Sequence, residues 1–205
     1  MLFRSNTVVF KPASDTPLLG LKLYEAAQSA GLPPGVLNFV TGLGDTAGQA
    51  LIDDPGVDGI VFTGSTPIGM KMIRANAQRA FPRPLIIEMG GKNPAIVMRS
   101  ADLDEAAEGI MRSAFGFGGQ KCSANSRVYV ERSVHDDLVR RLVAKTEPIV
   151  VGDPTVRAHW MGPLIDERAV ARHQAAVADA RREGAVLTGG ERLTDGDLGR
   201  GFYVE

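Results

Sequence analysis

The only cysteine of this 205-residue sequence, Cys122, follows a glycine-rich segment and precedes small residues. That segment is Phe115-Gly116-Phe117-Gly118-Gly119-Gln120-Lys121. Glycine lets the backbone come close to a reacting group, and the cation of Lys121 adjoins the thiol, so the two side chains are candidates for one pocket. A lone cysteine is more often an inert, buried apolar residue, so Cys122 by itself would not establish chemistry.

A carboxylate occupies a second glycine-rich segment. Glu88 begins the run Glu88-Met89-Gly90-Gly91-Lys92-Asn93, directly after the apolar residues Leu85-Ile86-Ile87. A carboxylate can serve as a general base, and partial burial would suit that task. The alternative is a surface carboxylate that ends a strand, but the two glycines that follow favour a catalytic interpretation.

Two glycine turns could approach a dinucleotide. In Gly64-Ser65-Thr66-Pro67-Ile68-Gly69, the proline is typical of a helix start, where free backbone amides can face an anion. The cluster Gly42-Leu43-Gly44-Asp45-Thr46-Ala47-Gly48 is one residue longer than the Rossmann spacing. Either segment could also be an ordinary turn between a strand and a helix.

Short apolar runs alternate with segments of helical periodicity. The predicted strands are residues 7–10, 36–40, 60–62, 85–87, 95–98, 127–131 and 186–188, and the predicted helices are residues 17–30, 45–53, 67–80, 102–115, 133–146 and 167–183. Ser100 is a candidate cap of the fourth helix, and Ser133 with Asp136 has the form of a capping box. The alternation predicts an α/β fold with a parallel sheet covered by helices on both faces.

Composition narrows the classes of function. The 23 basic and 24 acidic residues nearly cancel, so no surface for nucleic acid or an anionic membrane is predicted. No apolar run approaches the roughly 20 residues of a bilayer span. The single cysteine excludes an internal disulfide framework and suits a soluble protein of the reducing cytoplasm. The three histidines are scattered, so no metal site is predicted.

Three ordered motifs resemble the aldehyde dehydrogenase superfamily. They are Phe62-Thr63-Gly64-Ser65-Thr66, Glu88-Met89-Gly90-Gly91-Lys92 and Gly119-Gln120-Lys121-Cys122, and the similarity runs from about Thr7 to Glu205. The segment around Cys122 is most similar to the 1-pyrroline-5-carboxylate (glutamate semialdehyde) dehydrogenase branch. The resemblance implies a Rossmann-type parallel sheet in a cofactor-binding domain, residues 1–89, followed by part of a second α/β catalytic domain, residues 90–205.

The resemblance also implies a mechanism for oxidising a small-molecule aldehyde. Cys122 would be the nucleophile that forms a thiohemiacetal and then, after hydride transfer, a thioester. Glu88 would be the base for the water that cleaves the thioester. In the branch, which acts in proline catabolism, Ser123 would help to bind the substrate carboxylate of glutamate semialdehyde, although a small residue tolerated at a crowded site is an equal alternative. Phe115 and Phe117 would line the aldehyde channel, although filling of the apolar core is an equal alternative for both.

The cofactor implied is NAD or NADP. Lys11 matches the lysine that binds the adenosine ribose hydroxyls, although a solvated surface lysine is its alternative. Ser14 stands where many NAD-dependent members have glutamate, whose charge would repel a 2′-phosphate. Gly64, Ser65 and Gly69 match the turn that faces the cofactor pyrophosphate, and Gly44 belongs to the weaker glycine cluster before it. The choice between the two cofactors stays open.

The sequence departs from the family pattern at both ends. The backbone N–H of Cys122 can provide one oxyanion donor, but the asparagine that supplies the second donor is missing, as is the family's C-terminal third. We therefore expect an internal fragment of a longer, homo-oligomeric enzyme, and we expect the fragment alone to be inactive. The alternative function is a catalytically silent nucleotide-binding or structural relative, which the presence of both Glu88 and Cys122 disfavours.

Overall fold

A computed structural model describes residues 6–205, and residues 1–5 lie outside the described part of the chain. The chain divides after Met89 into an amino-terminal and a carboxyl-terminal compact unit. The boundary between the two predicted domains lies at the same residue. The cofactor-binding and catalytic roles of these domains remain predictions.

The amino-terminal unit alternates strands and helices. Its elements are β1 (Val8–Phe10), α1 (Pro17–Ser29), β2 (Leu37–Phe39), a π-helical turn (Gly44–Gly48) that continues into α2 (Gln49–Asp53), β3 (Ile60–Gly64), α3 (Thr66–Ala77) and β4 (Leu85–Met89). Strand β1 pairs with β2, and β3 pairs with β4, both in parallel. Because parallel neighbours need a crossover connection, α1 and α3 join the strands of the two pairs.

Aromatic rings join α1 to the first strand pair. The ring centroids of Phe10 and Phe39, on β1 and β2, lie 6.0 Å apart, and that of Tyr24 on α1 lies 5.8 Å from Phe39. Both separations are typical of packed aromatic pairs. Helix α1 begins at Pro17, whose restricted φ suits the first turn of a helix. The packing fixes the loop between β1 and α1, which carries Lys11 and Ser14.

Gly69 allows α3 to lie directly against β4. A Cβ atom built at Gly69 would lie 2.6 Å from Sδ of Met89 and 2.9 Å from Cγ2 of Ile87, closer than carbon atoms normally approach these groups. Both Gly69 and Met72 of α3 are buried. This close packing places the start of α3 beside the carboxyl end of β3.

The carboxyl-terminal unit is built around one strand pair. Its elements are β5 (Asn93–Val97), α4 (Leu103–Phe115), a 3₁₀ turn (Gly116–Gly119), β6 (Asn125–Val130), a second 3₁₀ turn (Arg132–Val134), α5 (His135–Thr146), α6 (Glu167–Glu183) and a third 3₁₀ turn (Gly196–Arg200). Strands β5 and β6 are parallel, and their register shifts between Asn93 and Pro94. Helix α4 is the crossover between them.

The core of this unit forms where α4 and α5 pack on the strand pair. Its buried residues are Val97 of β5, Ala107 and Ile110 of α4, and Leu138 of α5. The apolar residues of α4 recur at helical spacing, which places them on one face. The core therefore anchors α4 and β6, the two elements that flank Cys122.

The predicted cap of α4 is wrong by two residues. Asp102, and not Ser100, accepts hydrogen bonds from the backbone N–H groups of Glu105 (3.1 Å) and Asp104 (2.9 Å). These two bonds lower the pKa of the Asp102 carboxyl. A carboxylate is the better cap here because its charge also interacts favourably with the positive end of the helix.

Two further local predictions are wrong. Helix α5 begins at His135 without a side-chain cap, and Ser133, which was expected to cap it, donates to Glu131 Oε1 at 3.4 Å. Arg132–Val134 form a 3₁₀ turn before α5, so Ser133 is not placed as a helix cap. Residues 186–188 are described but form no strand. Their apolar character matches a strand, but a strand also needs a neighbour to pair with.

The α/β class and the parallel pairing are confirmed, but the expectation that the strands are covered on both faces is wrong for the described residues. These residues form three separate two-stranded pairs. The register partners Val61 and Ile86 are 77% and 60% exposed, and the partners Ile96 and Tyr129 are 71% and 57% exposed. Continuous apolar strands predict burial on both faces, but they do not show which segment of chain supplies the cover.

We expect Gly69→Ala to lower the free energy of unfolding by about 1–3 kcal/mol, because the added methyl group overpacks the contact between α3 and β4. Gly109 is the matched control, since it is exposed on α4 and its Cβ would meet no atom within 4 Å. Gly109→Ala should stabilise the chain by about 0.5–1 kcal/mol through helix propensity. Chemical denaturation followed by circular dichroism tests both changes. Equal stabilisation by the two would refute the packing role of Gly69.

Candidate active site

Cys122 lies in an exposed turn that leads into β6. The turn spans residues 121–124, and the backbone N–H of Ala124 donates to the carbonyl of Lys121 at 3.2 Å. Cys122 is a free thiol and is exposed, so the interpretation of this cysteine as a buried apolar residue does not apply. An exposed thiol in a closed turn can meet a substrate from solvent.

The chain reaches this turn through three consecutive residues with left-handed backbone. Phe117 has φ 59° and ψ 32°, and Gly118 and Gly119 have φ values of 62° and 67°. A Cβ at Gly119 would lie 2.9 Å from the carbonyl oxygen of Ala114, so a side chain there would meet a steric clash and an unfavourable backbone conformation. Phe117 adopts this conformation although it carries a side chain, and it is 76% exposed.

The amide of Asn93 connects the start of β5 to the Cys122 turn. Its Nδ2 donates to the carbonyl oxygens of Cys122 at 2.7 Å and of Ala124 at 3.2 Å. Asn93 ends the run that begins at Glu88, but no sequence pattern indicated these hydrogen bonds. Its position directly after Gly91 and Lys92, at a strand start, is the only signal that could have suggested it.

A second asparagine, Asn125, adds hydrogen bonds between β5, β6 and α4. Nδ2 of Asn125 donates to the carbonyls of Asn93 at 3.2 Å and of Arg127 at 3.1 Å, at the point where the register of β5 and β6 shifts. The backbone N–H of Asn125 donates to Oγ of Ser113 on α4 at 3.2 Å. Helix α4, both strands and the cysteine turn are therefore tied together by side-chain hydrogen bonds.

The residues beside Cys122 differ in their exposure to solvent. Lys121 and Ser123 are exposed, and Phe115, at the end of α4, is 37% exposed. A Cβ at Gly116 would lie 3.2 Å from Nζ of Lys121, so the ammonium group lies over the carboxyl end of α4. A cation is favourable there because it faces the negative end of the helix. Ser123 and Phe115 remain predicted substrate contacts.

Glu88 lies in the amino-terminal unit, on β4. It is the register partner of Thr63 on β3, and its neighbours Ile87 and Met89 point to the opposite side of the strand, towards α3. Its side chain is exposed within the described chain, and not partly buried as would suit a general base. The placement leaves the carboxylate open to solvent water.

The two predicted ribose contacts lie at the carboxyl ends of β1 and β2. Nζ of Lys11 donates to the carbonyl of Pro12 at 2.9 Å, and Oγ of Ser14 donates to the carbonyl of Gly42 at 3.3 Å. A cleft of about 180 Å³ opens here, lined by Pro12, Ala13, Ser14, Pro17, Thr41, Gly42 and Leu43. Ligands of open parallel sheets bind at the carboxyl ends of the strands, which is where this cleft lies.

The predicted pyrophosphate turn joins β3 to α3. Gly64 ends β3, and Ser65 precedes α3 with extended backbone (φ −74°, ψ 145°) and makes no side-chain cap. No acidic residue occupies the first turn of α3, so the helix start presents amides without a competing charge. Gly69 is buried within the unit, so it assists this turn by packing. These features fit a bound dinucleotide phosphate.

Gly44 begins the π-helical turn after β2 and is exposed. A Cβ at Gly48, at the end of this turn, would lie 3.9 Å from Cδ and Cε of Lys11. The glycine cluster therefore lies beside the predicted ribose lysine. Its function as a phosphate loop remains a prediction.

A larger cavity of about 500 Å³ surrounds Arg79, Phe81 and Arg83 near the start of β4. The guanidinium of Arg83 donates to the carbonyls of Val57 at 2.7 Å and of Asp54 at 3.1 Å, which ties down the segment after α2. Partial burial lowers the pKa of Arg83, and the neighbouring charge of Arg79 acts in the same direction. These bonds indicate a structural role.

Neither a metal cluster nor a membrane span occurs in the part of the chain that the structure describes. Residues 6–205 contain no group of three His, Cys, Asp or Glu side chains placed to hold a metal ion. None of the helices formed by these residues has the length and apolar character needed to cross a bilayer.

Comparison with known proteins identifies similar sequences along the whole chain. Residues 1–205 match the aldehyde dehydrogenase family. The chain is 44% identical over 207 residues to 1-pyrroline-5-carboxylate dehydrogenase 1 of Halalkalibacterium halodurans, an alignment that covers 98% of this chain and 39% of that protein. It is 42% identical over 205 residues to 3,6-anhydro-alpha-L-galactose dehydrogenase of Vibrio sp. EJY3, covering 100% of this chain and 42% of that protein.

Two solved dehydrogenase structures are also similar to this chain. The 1-pyrroline-5-carboxylate dehydrogenase from Thermus with bound NAD has a TM-score of 0.88 at 35% identity, over 97% of this chain and 38% of that one. The 3,6-anhydro-L-galactose dehydrogenase in complex with NAP has a TM-score of 0.91 at 42% identity, over 98% of this chain and 42% of that one. The chain therefore spans well under half of the length of these relatives.

We expect Phe117→Val to lower the free energy of unfolding by about 1 kcal/mol, because a β-branched residue tolerates left-handed backbone less well than phenylalanine does. Phe117→Gly should leave stability unchanged or raise it, since glycine adopts this conformation without steric conflict. Phe81→Val is the matched control, because Phe81 is also exposed and has ordinary backbone. Denaturant midpoints measure the stability of each variant. A Phe117→Val variant as stable as the parent would contradict the left-handed backbone at this position.

Proposed function

Because this chain belongs to the aldehyde dehydrogenase family, as its three motifs indicated, we propose that the protein containing it oxidises an aldehyde to a carboxylate with NAD or NADP. The observation that carries the proposal is the exposed thiol of Cys122 in a turn held by left-handed backbone and the Asn93 amide. A nucleophile needs both access to substrate and a fixed direction, and this turn offers both.

Cys122 acts first in the proposed reaction. Its thiolate attacks the aldehyde carbon, so an S–C bond forms and the carbonyl oxygen becomes the negatively charged oxygen of a thiohemiacetal. The backbone N–H of Cys122 stabilises this oxygen as a hydrogen-bond donor. After loss of hydride, the same carbon remains attached to Sγ as a thioester.

The chain's own residues fit a dinucleotide in the amino-terminal unit. Ser14 lines the cleft at the ends of β1 and β2, Lys11 directly precedes its lining residue Pro12, and the uncapped start of α3 at Ser65 suits the pyrophosphate. When bound, NAD or NADP supplies the hydride acceptor. Both cofactors remain candidates, because the solved structure of one relative has bound NAD and that of another is in complex with NAP.

Glu88 acts in the second half of the reaction. Its carboxylate takes a proton from the water that attacks the thioester carbon. The S–C bond then breaks, which releases the carboxylate product and returns Cys122 to its starting state. Support for this assignment comes from the family match and the motif that begins at Glu88, and the exposed side chain on β4 can reach a water molecule.

The proposed substrate is an aldehyde that also carries a carboxylate, as glutamate semialdehyde does. Support comes from the 44% identity to a 1-pyrroline-5-carboxylate dehydrogenase and from Ser123, which is exposed beside the nucleophile. Phe115 would contact the aliphatic part of the substrate. The 42% identity to a 3,6-anhydro-alpha-L-galactose dehydrogenase makes a sugar aldehyde the second candidate.

A catalytically silent nucleotide-binding relative is the alternative from another class of function. A thiol reagent separates the two possibilities, because Cys122 is the only cysteine in this chain. Protection of Cys122 from the reagent by an aldehyde substrate would support the enzyme. Dinucleotide binding without any such protection would support the silent relative.

We expect Glu88→Gln in the full-length protein to lower steady-state turnover by about 10²-fold or more while dinucleotide binding is kept, because the variant lacks a general base. Cys122→Ser should abolish turnover. Glu25→Gln, the same change at an exposed glutamate of α1, is the control and should have no effect. Following the absorbance of reduced cofactor measures all three, and unchanged turnover in Glu88→Gln would remove this residue from the mechanism.

We expect Ser14→Glu to weaken NADP binding on the order of tenfold or more and to spare NAD, because a carboxylate repels a 2′-phosphate. Ser14→Gln has the same size without the charge, so it should change the two affinities equally. Calorimetric titration with each cofactor measures the effect. Equal weakening of NAD and NADP by Ser14→Glu would contradict the proposed position of Ser14.

A further inference from the structure

The amide of Asn93 uses both of its N–H groups on the segment that carries Cys122. One bond goes to the carbonyl of Cys122 itself at 2.7 Å, and the other goes to that of Ala124 at 3.2 Å. Because both acceptors are carbonyl oxygens, only the NH₂ side of the amide can face them. The contact therefore requires a side chain with two donors at this length.

These bonds fix the backbone on the carboxyl side of Cys122. The bond to the Cys122 carbonyl holds the peptide plane that follows the cysteine. The bond from Ala124 N–H to the Lys121 carbonyl holds the plane that precedes it. With both planes held, the direction of the Cα–Cβ bond of Cys122 is set, and Sγ is left with only its side-chain rotation.

Asn93 is itself held in place from the opposite side. Its carbonyl accepts a bond from Nδ2 of Asn125 at 3.2 Å, and the backbone N–H of Asn125 donates to Oγ of Ser113 on α4. Asn93 is half-buried at the start of β5, whose far end reaches the core at Val97. The rigid part of the unit thus extends through Asn93 to the cysteine turn.

We propose that Asn93 is a positioning residue for Cys122, an inference that rests on the proposed role of Cys122 as nucleophile. The amide keeps the thiol aligned for attack on the aldehyde carbon without touching substrate. Displacement of a reacting atom by about 1 Å can lower a rate on the order of 100-fold, so loss of the two bonds should impair chemistry.

Two substitutions separate hydrogen bonding from space filling. Asn93→Asp keeps the volume of the side chain but replaces the donors by acceptors that repel the two carbonyls. Asn93→Ser leaves a smaller side chain that retains one donor. If hydrogen bonds position Cys122, the Asp variant is the more damaged of the two. If Asn93 only fills space, the Ser variant is the more damaged.

Asn38 provides the matched control. Its Nδ2 also donates to two backbone carbonyls, those of Gly35 at 2.9 Å and Val8 at 3.3 Å, in the other unit of the chain. Asn38→Asp makes the same chemical change in the unit that does not carry Cys122. It should therefore leave the rate of aldehyde oxidation unchanged.

The test compares kcat, the KM for aldehyde and the Kd for dinucleotide in the full-length protein. We expect Asn93→Asp to lower kcat by about 10- to 100-fold and Asn93→Ser to lower it less, with dinucleotide Kd unchanged in both. Wild-type kcat in a folded Asn93→Asp variant would overturn the proposal, and so would a lower kcat in Asn93→Ser than in Asn93→Asp. If Asn93→Ser loses its native circular dichroism, the residue serves folding and the proposal also fails.

Cys122→Ser distinguishes this failure from failure of the proposed function. If Cys122→Ser keeps its turnover, Cys122 is not the nucleophile and the proposed function itself is wrong. If Cys122→Ser is inactive while both Asn93 variants are as active as the parent, the proposed function stands and only the positioning role fails.

Discussion

The turn that carries Cys122 is held by backbone geometry and side-chain hydrogen bonds, and not by burial. Three left-handed residues reverse the chain after α4, and the Asn93 amide then binds the carbonyls on the far side of the cysteine. Burial would have fixed the turn equally well, but it would also have closed the thiol to substrate. The glycines and the half-buried asparagine allow Cys122 to be exposed and still ordered.

In the amino-terminal unit, close packing of helices on strands places the candidate ligand contacts. Its candidate ligand contacts lie where parallel strands end, and close packing determines where those ends are. Gly69 brings α3 onto β4, so that the uncapped helix start follows β3 after a single residue. Phe10, Tyr24 and Phe39 similarly fix the loop that carries Lys11 and Ser14. A phosphate bound at the proposed site would meet backbone amides, whose orientation is set once the helix has formed.

Element type was largely predictable from sequence, because helical periodicity and β-branched runs reflect local requirements of the chain. The helices α1, α4 and α6 and the six strands were predicted close to their observed bounds. The caps were harder to predict, since Ser100 and Asp102 are both suitable residues and only the three-dimensional path selects one. The role of Asn93 was hidden for the same reason, because its acceptors lie 29 and 31 residues away in sequence. The exposed strand faces also could not be anticipated, since a pattern of apolar residues predicts burial without naming the partner.

The proposed reaction requires a covalent intermediate on Cys122, which rapid acid quenching can trap. The full-length protein would be mixed with dinucleotide and glutamate semialdehyde, quenched at short times, digested and analysed by mass spectrometry. We expect the peptide containing Cys122 to gain the mass of the acyl group as a thioester, and we expect this gain to require the oxidised dinucleotide. Oxidation of the aldehyde with the Cys122 peptide unmodified at every quench time would contradict the proposed reaction.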